Sequence, residues 1–160
     1  MDLMRLLLIL GPMMPSGLRA DFFEQADGLD KVDAIEFDNS IENLIDGAAG
    51  VIGMCGYNTF CEVLSFNKPA LIVPRTSPRE EQLIRAQRAQ ELGLVDMMLP
   101  EQANDLEALA ERLANLPQRP LPNEMGAAGM LNGLESISKW VSNWAESRPA
   151  ANLYAMAGAG

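Results

Sequence analysis

Short apolar runs alternate along this chain with segments of helical periodicity. The run at 50–54 carries no charge, which predicts a strand buried on both faces and therefore a sheet with helices on both sides. Four further strands are predicted at 6–11, 32–37, 70–73 and 95–99. The order βαβαβαβαβα predicts an α/β fold, a Rossmann-like, doubly wound parallel sheet.

The intervening segments carry helix signals. From Ser16 onward, Leu18, Phe22 and Ala26 recur at spacings of three and four, which indicates one buried face. Another helix is predicted to begin at Ser77-Pro78, with the serine as N-cap, and to end at Gly93.

Ligands of such sheets bind beyond the carboxyl ends of the strands. The loops that follow the first four strands, at 11–16, 37–40, 54–59 and 75–79, are rich in Gly, Pro, Ser, Asn or Arg. The segment 51–62 is typical of a strand, a glycine turn and a helix, an arrangement that directs backbone N–H groups at this edge. We therefore expect an anionic nucleotide there.

The charge balance and the missing residue types exclude several functions. A net charge of -10 argues against nucleic acid, which needs a basic surface. With no histidine and two cysteines, a Ser-His or Cys-His nucleophile is impossible within this chain, and a four-ligand zinc site has too few ligands. A nucleotide diphosphate would need local positive charge, for which Arg75, Arg79 and Arg85 are candidates.

Length and composition predict one domain at 1–148, followed by an Ala- and Gly-rich tail at 149–160. The apolar run at 6–10 ends at Gly11-Pro12, short of the roughly 20 residues of a membrane span, so we expect no transmembrane segment. Two cysteines favour a reduced, cytoplasmic protein. Because a strand begins almost at residue 1, we expect the native chain to have further residues upstream.

Several spaced motifs together resemble a known family. The pattern comprises Gly56-x-x-Thr59-x-x-Glu62, Lys68-Pro69-Ala70-x-x-x-Pro74, Gln82-x-x-x-Ala86 and Leu92-Gly93. It resembles the C-terminal, donor-binding half of GT-B glycosyltransferases of the MurG type, family 28. It is still more similar to bacterial predicted glycosyltransferases with Gly-Tyr-Asn-Thr and Pro-Arg-x-x-Pro-Arg-x-Glu-Gln motifs, here at 56–59 and 74–82. The resemblance covers roughly residues 5–100.

The resemblance implies the donor-binding half of an enzyme that transfers a sugar from a nucleotide-sugar, a UDP-sugar, to an acceptor. It implies that Glu62 holds the ribose hydroxyls, that Thr59 and the N–H groups of its helix hold phosphate, that Gln82 contacts sugar or phosphate, and that the backbone around Phe37 contacts the base. The substrate-binding residues expected on this basis are Gly11, Phe37, Gly56, Asn58, Thr59, Glu62, Arg75, Glu81, Gln82 and Arg85.

In the resembling enzymes, an N-terminal half binds the acceptor and carries the catalytic base. This chain has no counterpart of that half, so we expect it to bind donor without turnover and assign it no catalytic residue. The missing half would be a preceding domain or a separate subunit. The resemblance also implies a reaction without a metal ion or cofactor.

Two departures from the family concern the ligand. Residues 11–15 read Gly-Pro-Met-Met-Pro where the family has a glycine- and serine-rich loop, which leaves fewer N–H groups for a diphosphate. Glu81, Gln82 and Arg85 stand where MurG-type enzymes carry Gln-Gln and a following Asn, so a different sugar pocket is expected.

Structural roles are alternatives for the same residues. Thr59-x-x-Glu62 and Ser77-x-x-Glu80 both match a capping box, and Arg75, Arg79 and Arg85 could pair with Glu80 and Glu81 on a solvated face. Tyr57 could stack on a base or shield the strand ends. Two other functions also fit a Rossmann-like domain: a noncatalytic module that binds a nucleotide or a protein, and part of a nucleotide-sugar epimerase with GT-B architecture.

Overall fold

A computed structural model describes residues 5–147 and shows an α/β fold with parallel strands. The strands are β1 (Leu6–Ile9), β2 (Val32–Ile35), β3 (Val51–Gly53), β4 (Ala70–Ile72) and β5 (Asp96–Met97). The helices are α1 (Ser16–Asp27), α2 (Ile41–Gly47), α3 (Tyr57–Ser65), α4 (Glu81–Glu91), α5 (Pro100–Ala103), α6 (Leu106–Asn115) and α7 (Gly133–Ser147), with 3-10 turns at Leu116–Gln118 and Pro122–Met125. The predicted tail at 149–160 lies outside the described residues.

The chain divides into two compact units, residues 1–44 and 45–160, here called the first and the second unit. In the first unit, β1 and β2 form a parallel pair in which Leu6 lies opposite Val32 and Ile9 opposite Ile35. The ladder continues past the strands, since the Gly11 N–H donates to the carbonyl of Glu36 at 2.9 Å. The predicted α/β, Rossmann-like class is confirmed, and hydrogen bonds arrange the described strands in two sheets.

In the second unit, β4 lies between β3 and β5, and both pairings are parallel. The side chains of Ala70, Leu71 and Ile72 in β4 are all 0% exposed. On one face, Ala70 and Ile72 belong to a core cluster with side chains of α3 and α4, whereas Leu71 belongs to a second cluster packed by α6. Helices therefore cover both faces of β4.

The prediction that the third strand is buried on both faces is wrong. Ile52 in β3 is 43% exposed and Met54, just beyond it, is 59% exposed, whereas Val51 packs against the core cluster. The reason is that β3 lies at the edge of its sheet, with β4 as its hydrogen-bonded neighbour. An uncharged strand can therefore have one well-covered face and one open face.

The predicted start of the fourth helix is also wrong. Helix α4 begins at Glu81 rather than at Ser77-Pro78, and Glu80 is its N-cap residue without a side-chain capping bond. Ser77 and Glu80 therefore form no capping box. Gln82, in the first turn of α4, instead holds the preceding loop by accepting a hydrogen bond from the Arg75 N–H.

The predicted end of this helix is confirmed. Gly93 follows the last residues of α4 at φ +74, a left-handed conformation that glycine adopts readily, and its N–H donates to the carbonyl of Gln90 at 2.9 Å. Among the helices of residues 5–147, none combines the length and the apolar character that a membrane crossing requires.

Candidate functional site

In the first unit, two predicted site residues follow neighbouring parallel strands. Gly11 follows β1 at φ +80, and Phe37, which is 60% exposed, follows β2. Because β1 and β2 are parallel and paired, both residues lie at the carboxyl edge of this sheet. Polar side chains at this edge are already engaged: Arg19 pairs with Glu36, and Asp38 accepts a hydrogen bond from the Ser40 N–H at 2.6 Å.

In the second unit, the turn between β3 and α3 has its left-handed residue at an unexpected position. Cys55 has φ +65 and is fully buried, whereas Gly56 has φ −55 and is the N-cap of α3. A Cβ added to Gly56 would have no atom within 4 Å, and one added to Gly53 would lie 3.4 Å from Cγ2 of Thr59, an ordinary contact. The backbone conformation of this turn therefore depends on Cys55 rather than on the glycine pair.

Helix α3 begins with free backbone donors. It starts at Tyr57, and its N-cap provides no side-chain hydrogen bond. The N–H of Phe60 donates to the carbonyl of Gly56 at 2.9 Å, so the N–H groups of Tyr57, Asn58 and Thr59 precede the first intrahelical bond. Such a turn carries the positive end of the helix dipole and can bind an anion.

The capping-box alternative for Thr59 and Glu62 is wrong. Thr59 is the third residue of α3, because Gly56 rather than Thr59 takes the N-cap position. The Glu62 side chain is half-buried, and within residues 5–147 its carboxylate makes neither a hydrogen bond nor an ion pair. This carboxylate is available to a ligand.

The loop between β4 and α4 presents further groups at the carboxyl edge of the second sheet. Gln82 uses its amide oxygen to accept from the Arg75 N–H at 3.2 Å, which leaves its amide nitrogen available as a donor. The side chains of Arg75 and Arg79 are exposed, and across the described part of the chain they pair with no carboxylate. The alternative in which Arg75 and Arg79 pair with Glu80 or Glu81 is therefore wrong.

Arg85 contacts the turn in front of α3. Its Nη1 donates to the carbonyl oxygen of Cys55 at 2.6 Å, and its Cζ lies 5.8 Å from the centre of the Tyr57 ring. The Tyr57 side chain is 68% exposed, and this distance allows a cation–π contact with the guanidinium. Burial raises the pKa of the Cys55 thiol, and Arg85 partly offsets this increase.

A cavity of about 510 Å³ lies beside these groups. Its lining is largely apolar and includes Glu81 and Arg85 of the predicted site; the other lining residues are Phe60, Ile84, Arg88, Ala89, Leu92, Leu94 and Met130. No group of three or more potential metal-binding side chains occurs among the residues that the structure describes.

Sequence reasoning missed the buried carboxylate of Asp96 in β5. Nη1 of Arg112 lies 2.7 Å from both of its oxygens, and Nη1 of Arg119 lies 3.3 Å from Oδ2. An acidic residue in an otherwise apolar run, followed by two arginines, was the available signal. This cluster joins β5 to α6 and the turn after it.

Comparisons with known proteins agree with this architecture. The family model described as the glycosyltransferase family 28 C-terminal domain matches residues 4–141. The chain is similar to the crystal structure of the glycosyltransferase VinC in complex with DTDP, with 20% identity and a TM-score of 0.59, over 88% of this chain and 41% of that one. This likeness shows the fold.

A second solved structure, the glycosyltransferase SnogD from Streptomyces nogalater, has 20% identity and a TM-score of 0.38 over 64% of this chain and 30% of that chain. The chain thus spans less than half the length of either solved structure. No curated protein matches the sequence.

Proposed function

Because this chain belongs to the family described as the glycosyltransferase family 28 C-terminal domain, we propose that it is the donor-binding half of a glycosyltransferase that uses a UDP-sugar. The acceptor and the catalytic base belong to a second domain or subunit. The single observation that carries this proposal is the start of α3. Its N–H groups have no side-chain cap, and one helical turn further on lies the carboxylate of Glu62, which has no partner within residues 5–147.

The diphosphate binds at the start of α3. Its negative charge is favourable beside the N–H groups of Tyr57, Asn58 and Thr59 and the positive end of the helix dipole. Arg75 and Arg79 add charge from the neighbouring loop, which matters because the whole chain carries -10. The similar structure of VinC holds DTDP, which is also a nucleoside diphosphate, and this supports the ligand class.

Glu62 holds the ribose hydroxyls. It is three residues after Thr59, a spacing that places two side chains on neighbouring positions of one helix face. An ionised carboxylate can accept two hydroxyl hydrogen bonds, which are stronger than those between neutral groups. Phosphate and ribose are thus recognised from a single helix.

The remaining contacts follow from the resemblance. Gln82 contacts the sugar or a phosphate through its free amide nitrogen, and Glu81 lies next to it in the first turn of α4. The contact of the backbone around Phe37 with the base stays a prediction, and so do the contacts of Gly11 and Arg85 with substrate.

In the reaction, this half binds the donor and stabilises its leaving group. As the bond between the sugar and the diphosphate breaks, negative charge grows on the departing UDP, and the N–H groups of α3 and the two arginines stabilise it. A general base in the acceptor half removes the proton from the attacking hydroxyl. The chain alone should therefore bind UDP-sugar without transferring the sugar.

Substitution of Glu62 tests the proposal. Glu62→Ala and Glu62→Gln should weaken UDP binding by roughly tenfold to over a hundredfold, since they remove charge-assisted hydrogen bonds worth about 1.5–3 kcal/mol. Calorimetric titration measures this affinity. The melting temperature should stay nearly constant, because Glu62 takes part in no capping box.

Glu111→Gln provides the matched control. Glu111 is an exposed carboxylate of α6, so its loss should change neither the affinity nor the melting temperature. Wild-type UDP affinity in both Glu62 variants, measured where each is folded, would contradict the assignment of the ribose to this residue.

A further inference from the structure

The turn in front of α3 is held from α4. Residue 55 adopts φ +65, a conformation that side chains other than glycine rarely adopt, and its own side chain is buried in the core of the second unit. A single charged donor, Nη1 of Arg85, reaches its carbonyl oxygen at 2.6 Å. The left-handed turn thus has a specific partner 30 residues further along the chain.

Arg85 contacts residues on both sides of Gly56. It donates to Cys55 before the glycine, and the Tyr57 ring after the glycine packs over its guanidinium at 5.8 Å. Gly56 itself has no neighbouring atom where a side chain would begin, so the packing around it does not fix its orientation. The guanidinium thus contacts the chain on both sides of the glycine at which α3 begins.

We propose that Arg85 is a positioning residue of the donor site: it holds the 55–57 turn so that the first N–H groups of α3 point at the diphosphate. This inference rests on the proposed function. It differs from the sequence-based prediction that Arg85 binds substrate directly, because the recorded contacts of the guanidinium, from Nη1 and with the Tyr57 ring, are with the turn itself. The guanidinium also adds positive charge behind the start of the helix.

The two roles of Arg85 predict different changes in the protein without ligand. A positioning residue alters the turn before any nucleotide is added, whereas a residue that only contacts the donor alters affinity and leaves the free turn unchanged. Amide chemical shifts of residues 55–60 and the hydrogen exchange of the Phe60 N–H, which bonds to the carbonyl of Gly56, report the state of the turn directly.

Three variants separate the possibilities. Arg85→Met keeps the aliphatic stem but removes the charge and every donor. Arg85→Lys keeps a charged donor that can reach a carbonyl, without the planar fork of arginine. Arg88→Met is the control, since Arg88 lies on the same helix, is exposed and pairs with Glu91.

For Arg85→Met we expect shift changes at 55–60, about tenfold faster exchange of the Phe60 amide and about tenfold weaker UDP binding, because both readouts follow opening of the turn. In Arg85→Lys, the exchange rate of the Phe60 amide and the UDP affinity should both lie closer to the wild-type values than in Arg85→Met. Arg88→Met should match the wild type in both. Wild-type shifts and exchange in the ligand-free Arg85→Met variant, combined with weaker UDP binding, would overturn the proposal in favour of direct contact between Arg85 and the donor. Wild-type exchange and wild-type UDP affinity together would show that Arg85 has no role in the donor site.

The shift and exchange measurements need no ligand, so they test the contact of Arg85 with the turn separately from the proposed function. A wild-type protein that fails to bind UDP would count against the proposed function alone. If Arg85→Met does not fold, Arg85→Gln takes its place, because its amide keeps a neutral donor and removes the charge. Arg85→Gln should change the amide shifts at 55–60 and weaken UDP binding in the same direction as expected for Arg85→Met, by a smaller factor. Wild-type shifts and wild-type UDP affinity in Arg85→Gln would overturn the proposal.

Discussion

Both units contain parallel strands alternating with helices, but they differ sharply in burial. Among residues 5–44, Ala26 is the one buried side chain, and three residues of β1 are 37–39% exposed: Leu6, Leu7 and Ile9. In the second unit, every side chain of β4 is fully buried between helices. Apolar periodicity therefore predicts where an element forms, and it does not show how completely that element is covered.

The carboxyl edges of the two sheets differ in how many of their charged side chains already have partners within the protein. In the first unit, the charged groups at the edge satisfy one another, as Arg19 and Glu36 do. In the second unit, within the described residues, the side chains of Glu62, Arg75 and Arg79 have no protein partner. The unit with the better core thus also holds the polar groups that remain available to a ligand, and a rigid core keeps such groups in place.

Removing a large side chain from each sheet should give the largest contrast between the units. Leu71→Ala should lower the free energy of unfolding by about 2–5 kcal/mol, because it leaves a cavity beside a strand that is 0% exposed. Leu7→Ala should cost about 1 kcal/mol, because that side chain is 39% exposed. Urea denaturation of both variants measures the difference. Equal losses of unfolding free energy would show that the two sheets do not differ in how well their side chains are packed.

Removing a carboxylate from each unit should give a smaller contrast. The side chain of Asp96 is 7% exposed and forms ion pairs with Arg112 and Arg119, so Asp96→Asn should cost about 2 kcal/mol at neutral pH. Asp33 pairs with Arg5 where both side chains are more than half exposed, and Asp33→Asn should leave the unfolding free energy nearly unchanged. Thermal unfolding at two salt concentrations tests this contrast; a comparable loss in both variants would show that the first unit depends equally on its ion pair.

The class of the fold, the approximate positions of the five strands along the chain and the end of α4 at Gly93 could be predicted from the sequence. These features depend on local signals: apolar periodicity, and a glycine that can take a left-handed conformation. The burial of β3 could not be predicted, because the position of a strand within its sheet is set by pairing between distant segments.

The candidate site could be predicted in part. Local motifs indicated the start of α3 and the loop after β4 as parts of the site, but they misplaced the first residues of α3 and α4. Thr59 and Ser77 match the sequence pattern of N-cap residues, whereas the N-cap residues in the structure are Gly56 and Glu80. The left-handed residue of the turn is Cys55, a residue type that gives no local signal for this conformation. The bond from Arg85 to this residue joins positions 30 apart in the sequence, and no local pattern reveals it.

The central claim is that the start of α3 and the loop before α4 bind the donor nucleotide. An NMR titration of the chain with UDP, in the absence of divalent metal, tests it most directly. We expect the largest amide shift changes at residues 56–62 and 75–85, with little change on α6, which packs on the other face of β4. No change at 56–62 and 75–85 at millimolar UDP, or changes as large on α6, would contradict the account.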